Sequence, residues 1–285
     1  MADSPHSARP EAVPSRRRPV VDSWDVFDTL LARYSLSPTY VFALVEQKSG
    51  FEPFSRLRAQ AQRLLDGYRR PYTIYQIYRC LEEQLGVEPA LARQLLHMEI
   101  DLEKYLLLPI SRQLARVRRS DLLISDMYLT AEQVTDLVRS IGGLHSVRPP
   151  IVGNWGKATG SVWPHIMANF LIRTHHGDNP HSDIAQPAKH HIPVELVDDY
   201  KPTAWEQTLL DSDLGVLGLI VREVRLRKLP WAADPFHRVV AGPYCSFLLL
   251  FALYLKAYAR ERNIQKYVFA SRDADPLAFI YRYLP

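Results

Sequence analysis

Cysteine is scarce in this chain. Two occur in 285 residues, Cys80 and Cys245, far apart and without a CxxC spacing, which excludes a disulfide framework or a cysteine zinc site. A reducing cytoplasm is the setting this implies. A strong excess of charge is also missing. The 35 Lys and Arg against 31 Asp and Glu leave a formal +4, and the basic residues are scattered apart from SRRR at 15–18 and VREVRLRK at 221–228. Such a balance provides no dedicated nucleic-acid surface and suits a small anionic ligand. The apolar core of a signal peptide is absent from the first 18 residues, MADSPHSARPEAVPSRRR, whose Pro, Ser, Ala and Arg read as a disordered tail and not an export signal. Long apolar runs are lacking too. The longest, CSFLLLFALYLKAYA at 245–259, meets Lys256 before the roughly 20 residues a bilayer needs, which predicts a buried helix and no membrane span.

What is present is a large apolar fraction, 47%, enough for one large domain with an inserted or appended piece. The stretch VVDSWDVFDTLLAR, Val20 to Arg33, sets β-branched residues before a polar cluster. That order predicts a strand running into a tight turn, with Asp25 near its carboxyl end, where open α/β sheets place their chemistry. From 37 to 105 the apolar residues fall three and four apart, interrupted at Gly50, Pro53, Gly67, Pro71 and Gly86, which predicts an inserted helical block. Strand signals return in LLISD, followed by a helix over TAEQVTDLVRSIGG with Thr130 as N-cap and Gly142 or Gly143 as its stop. Next come a short strand in RPPIVGNWGK, a helix over GSVWPHIMANFLI, a loop over THHGDNPHSD and a last strand in VELVDD.

This alternation predicts an α/β fold: a doubly wound, mostly parallel Rossmann-like sheet with a helical insertion after its first strand and a helical C-terminal extension. The expected division is a tail at 1–18, a core at 19–36 plus 106–201, helices at 37–105 and an extension at 202–285. The extension closes on KYVFASRDADPLAFIYRYLP, which reads as strand, loop and helix start, a possible incomplete second α/β domain.

Four loops of the core end in polar groups: Asp25 with Thr29, Ser125, Lys157, and Asp178 with Asp183. Phosphoryl chemistry on such a sheet needs a carboxylate to attack, a hydroxyl and an ammonium to hold phosphate oxygens, and further carboxylates for Mg²⁺. All four parts are there.

With DVFDTL at 25–30, LLISD at 122–126, Lys157 in GKATG and GDNPHSD at 177–183 in this order, the chain resembles the haloacid dehalogenase (HAD) superfamily. SDMYL and KATGSVWPHI add a resemblance to a bacterial subgroup of predicted HAD hydrolases with an FDxFDT first motif. The resemblance covers residues 20–200 and extends weakly beyond. It implies that Asp25 is the nucleophile and, with Asp178 and Asp183, a Mg²⁺ ligand. Thr29, Ser125, Asp126 and Lys157 are then expected around the phosphate, Thr29 also supporting the turn and Lys157 neutralising the transferring group. The helices at 37–105 become a cap that closes over a small anionic metabolite.

Three departures accompany it. The residue two after the nucleophile, an acid–base aspartate in HAD phosphatases, is Phe27, and a phenyl ring transfers no proton; Asp28 either takes that role or caps the turn. Asn154-Trp155 stand where many relatives have a smaller polar residue. SRDAD replaces an RDG turn whose following domain is missing, which implies a vestigial domain or a separate polypeptide that completes it.

Three functions are therefore expected in turn. The first is a Mg²⁺-dependent hydrolase of a small phosphorylated metabolite. The second is a repurposed enzyme of natural-product (antibiotic) biosynthesis that closes a small nitrogen ring, an aziridine or azabicycle, with sulfate or phosphate leaving and Asp25 or Asp28 as base. The third is a partner-binding scaffold. His175, His176, His181, His190 and His191 gather near one loop, but neighbours on an extended segment point to opposite sides, so solvated loop histidines are expected. Tyr68, Tyr72, Tyr75 and Tyr78 lie at helical spacing and are expected in the core of the helical block, with Arg69 and Arg70 exposed at a helix end.

Overall fold

The computed structural model describes residues 18–154, 156–228, 236, 239–270 and 274–284. Most of the N-terminal tail, Trp155, and Ser271 to Asp273 of the SRDAD segment lie outside the described residues. Five strands build a parallel sheet: β1 (Val20–Trp24), β4 (Leu122–Ser125), β5 (Ile151–Val152), β6 (Leu171–Gly177) and β7 (Val194–Leu196), in the order β5-β4-β1-β6-β7. β1 is central, with Trp24 opposite Leu123 on one side and His176 on the other. The fold is α/β with a mostly parallel, Rossmann-like sheet, as the alternation predicts. A second, antiparallel pair, β2 (Leu31–Arg33) with β3 (Leu107–Pro109), closes the base of the helical insertion.

The insertion is four helices: α1 (Tyr40–Ser49), α2 (Phe54–Gly67), α3 (Ile74–Glu83) and α4 (Pro89–Tyr105). Its buried face, from Val41 and Phe42 to Leu95 and Leu102, is continuous with one face of the sheet through Trp24, Val26, Phe27 and Leu123. Burial of that shared apolar surface is the main force joining insertion to sheet. Inside it, Arg58 pairs with Glu99 (Nη2–Oε1 2.8 Å, Nε–Oε2 2.9 Å), and Tyr78 donates its hydroxyl to the same carboxylate at 2.7 Å. Of the four tyrosines, Tyr72 and Tyr78 are in this core, whereas Tyr68 and Tyr75 are exposed, because only one face of a helix is covered. Arg69 and Arg70 are exposed.

α5 (Ser111–Leu114) follows β3, and α6 (Ala131–Ser140) follows β4, begun by a Thr130–Gln133 capping box. The other face of the sheet packs Val21, Leu122, Ile124 and Ile192 against Trp163 and Ile166 of α8 (Val162–Asn169), which follows the single turn α7 (Gly156–Thr159). Two elements differ from expectation. The helix over GSVWPHIMANFLI stops at Asn169, and the expected loop THHGDNPHSD begins inside β6. Ladder bonds to β1 and β7 on its two sides hold LIRTHHG as a strand despite its polar letters. α9 (Gln186–Ala188) then leads to β7.

In the extension, α10 (Ala204–Leu210) and α11 (Gly215–Arg227) pack through Leu209, Leu217 and Val221, and Leu226 of α11 joins Ala32, Leu108 and Ile110 under the β2–β3 pair. Buried Arg222 donates to the carbonyls of Arg33 (2.9 Å) and Tyr200 (2.6 and 2.8 Å), tying α11 to β2. The helix expected to be buried, α12 (Cys245–Arg262), is mostly exposed. It buries Leu248 and Ala252 against Leu277 of α13 (Asp275–Tyr283). Its other side carries Phe247, Phe251, Tyr254 and Tyr258 as a ladder of neighbouring rings 5.9–6.3 Å apart. With the turn before it, the span Val240–Arg262 is long and apolar enough to cross a membrane by length and composition, and 17% of its most apolar window is buried. Residues 266–270, where the strand was expected, show no ladder pairing among the described residues; Tyr267 and Phe269 rest on Tyr281 at 5.7 and 5.6 Å.

Candidate active site

The carboxyl ends of β1, β4 and β6 are adjacent, so the residues that follow them converge. Asp25 extends β1 by one rung, its N–H donating to the carbonyl of His176 at 2.8 Å. The chain then turns sharply: Asp28 adopts a φ of 60°, a left-handed conformation that aspartate tolerates better than most residues. Thr29, fully buried, directs Oγ1 to Asp178 Oδ1 at 3.5 Å.

Lys157 reaches this point from α7. Its ammonium donates to Asp25 Oδ1 and, at 2.6 Å, to Asp183 Oδ1. The turn that carries it is capped by Asp126, whose carboxylate accepts the N–H groups of Lys157 (2.9 Å) and Ala158 (2.8 Å). This use of both oxygens makes Asp126 a support of the turn that bears Lys157, and its neighbour Ser125 is buried at the end of β4. Asp183 comes from a π-helical turn, Pro180–Ala185, begun by Asn179, whose side-chain oxygen accepts the N–H groups of His181 and Ser182. A glycine precedes the turn because a Cβ at Gly177 would lie 2.4 Å from Asp183 Cγ.

Ligand oxygens of Asp25, Asp178 and Asp183 lie within 4.8 Å of one another. Three carboxylates facing one ammonium leave two negative charges uncompensated in a buried space, and their titration shows the imbalance. Burial raises Asp25 to about 8, against the opposing Lys157 and with Asp183 and Asp178 adding to the rise. Burial, then Asp183 and Asp28, raise Asp178 to about 7. Burial also works against Asp183, but Lys157 and His175 outweigh it and hold this carboxyl at about 2. Desolvation disfavours the charged form of Lys157, yet Asp25 and Asp183 keep it above its usual range as an ammonium. An oxygen-rich pocket of this size, which gains negative charge as Asp25 and Asp178 ionise, fits a divalent cation such as Mg²⁺.

Phe27 is buried with the guanidinium of Arg33 5.0 Å over its ring. Asp28 does not face the pocket as a free acid: its Oδ2 accepts from Arg33 Nη1 at 2.8 Å and Oδ1 from the Arg33 N–H at 3.3 Å. Arg33 also approaches Glu103 of α4 at 3.5 Å, so the turn after Asp25 is linked to the insertion. A second link is Asn154, whose Oδ1 accepts the N–H of Tyr72 at 2.9 Å.

Two site neighbours escape the sequence reading. His175 and His176 are buried strand residues and not solvated loop residues, and they point to opposite sides of the sheet. His176 stacks on Trp24 at 3.9 Å. His175 lies beneath the site, with Nε2 3.2 Å from Asp183 and Nδ1 2.9 Å from Ser23 Oγ. The letters of LIRTHHG carry no apolar–polar alternation, so local sequence offered no signal for a buried strand there.

No protein-family model matches the chain, and a search of curated proteins finds no match. Among solved structures the chain is similar to a 2-haloacid dehalogenase from Pseudomonas syringae pv. Tomato DC3000, with a TM-score of 0.43 and 16% identity over 72% of this chain and 99% of that one.

Proposed function

We propose that the chain is a HAD-type hydrolase of a small phosphorylated metabolite, and the observation that carries the reading is the convergence of Asp25, Lys157, Asp178 and Asp183 at one sheet edge. Asp25 attacks phosphorus; the bond from phosphorus to the leaving oxygen breaks, and its electron pair departs with that oxygen. Water then attacks phosphorus, releasing inorganic phosphate and restoring the Asp25 carboxylate. Lys157 offsets the negative charge of both steps, and the Ser125 hydroxyl donates to a phosphate oxygen, a role that its position at the end of β4 supports. Asp25, Asp178 and Asp183 would hold Mg²⁺, which supplies charge neutralisation and orientation of the phosphate.

Phe27 qualifies the substrate. Without a proton donor at that position an alkoxide leaving group loses about 10²–10⁴-fold in rate, which favours leaving groups stable as anions. The same residue favours a second reading, in which phosphate or sulfate leaves from carbon as a substrate amine closes a small nitrogen ring of the aziridine or azabicycle kind. Asp25 is then the base, since Asp28 is engaged by Arg33.

The test is phosphate release from a panel of phosphate esters in ¹⁸O-labelled water with Mg²⁺, comparing the unaltered protein with Asp25→Asn. Labelled phosphate that disappears in the variant is the expected result. Unlabelled phosphate identifies cleavage at carbon and the second reading, and no release from any ester rejects the hydrolase.

A further inference from the structure

Ser23, His175 and Asp183 form one line of hydrogen bonds from the sheet interior to the site. Ser23 and His175 are paired residues on β1 and β6, and both are completely buried. The imidazole lies edge-on to Trp163, ring centres 4.8 Å apart at 70°, which fixes its plane. Nδ1 is 2.9 Å from Ser23 Oγ and Nε2 is 3.2 Å from Asp183 Oδ1. A carboxylate only accepts, so the nitrogen facing Asp183 carries the hydrogen, and in the neutral ring Nδ1 accepts from the serine hydroxyl.

Building on the metal-site reading above, we propose that His175 is a positioning residue: held in its Nε2–H form by Ser23, it fixes the Asp183 carboxylate for cation binding. Asp183 has donors from three directions, Lys157 at 2.6 Å, His175 at 3.2 Å and the Asn179 N–H at 3.1 Å. Lys157 also serves Asp25, and the Asn179 N–H belongs to the same turn as Asp183. His175 ties Asp183 to Ser23 within the centre of the sheet, two residues upstream of Asp25 along β1. Partners of this kind, which orient a metal-binding group without touching the metal, typically change affinity by 10–100-fold.

Two measurements on the full chain test this. Long-range ¹H–¹⁵N spectra report the His175 tautomer directly: Nε2–H is expected, and Nδ1–H overturns the proposal. Titration calorimetry with MgCl₂ alone compares the unaltered protein with His175→Phe, which keeps the ring against Trp163 and removes both hydrogen bonds, and with His175→Gln, which restores a donor. A loss of about 10–100-fold in affinity for His175→Phe, partly recovered in His175→Gln, is expected with cooperative unfolding retained. Unchanged affinity in a folded His175→Phe reduces the histidine to packing and overturns the proposal. Should the unaltered protein bind no Mg²⁺, the metal reading of the site fails, while the tautomer still decides whether the Ser23–His175–Asp183 line exists.

Discussion

The single atom added in Gly177→Ala tests the construction of the site. The Cβ would stand 2.4 Å from both Cβ and Cγ of Asp183 and 2.7 Å from its Oδ2, where ordinary contact begins at 3.4 Å. One of the two must therefore move by about 1 Å. Gly177 does not have a left-handed φ, so alanine fits the backbone and the conflict is purely steric. Its neighbours resist, since Asp183 is held by Lys157, His175 and the Asn179 N–H, and Gly177 is paired with Leu196 of β7 and accepts the Val197 N–H at 2.8 Å. Overpacking of this type costs about 1–3 kcal/mol of stability, and a displacement of about 1 Å at reacting groups costs about 10²-fold in rate. Urea unfolding measures the first and calorimetric Mg²⁺ titration the displacement of Asp183. In an Asp183→Gly background, which removes the Cβ as well as the carboxyl and leaves the space free, the stability cost of Gly177→Ala should vanish, a non-additivity expected of residues in contact. A Gly177→Ala protein with unchanged stability and unchanged Mg²⁺ affinity would refute the packing argument.

Mg²⁺ binding should be coupled to proton release. Asp25 and Asp178 titrate near 8 and 7, above the ordinary carboxylate range, so in the metal-free protein they contribute stability at low pH that is lost as pH rises through those values. The cation requires the ionised forms, so its affinity and the stabilisation it confers should rise from pH 6 to about 8 and then level off; calorimetry in buffers of different ionisation enthalpy counts the protons, and affinity independent of pH refutes the coupling. Away from the site, Arg58→Met leaves Glu99 as a buried uncompensated charge and should cost about 3–5 kcal/mol, whereas Arg58→Met with Glu99→Leu should recover most of the loss. Denaturant unfolding decides, and a single variant as stable as the parent would show that the pair is not buried in solution.

The core of the site was legible because its residues sit where local sequence is most constrained. Asp25 follows β1 and Ser125 ends the apolar β4, and Thr130 announces a helix start. The aspartate-led turn at 28 obeys rules of backbone conformation that act over a few residues. Strand-to-helix alternation likewise determined a parallel α/β sheet and a helical insertion, since period and turn chemistry are local.

What a residue does with its side chain was decided by partners far along the chain. Asp126 caps the turn bearing Lys157, 31 positions on, and His175 pairs with Ser23, 152 positions away. LIRTHHG became a strand through the ladders on its two sides, which no composition announces. The exposure of α12 was equally beyond local reading, because an apolar helix has the same sequence whether or not a neighbour covers it, and here only Leu248, Ala252 and nearby residues meet one. Sequence by itself determined which chemical groups stand at the ends of the strands; tertiary structure alone decided which of them meet, because hydrogen bonds and ion pairs depend on separations of a few ångströms that only the assembled sheet imposes.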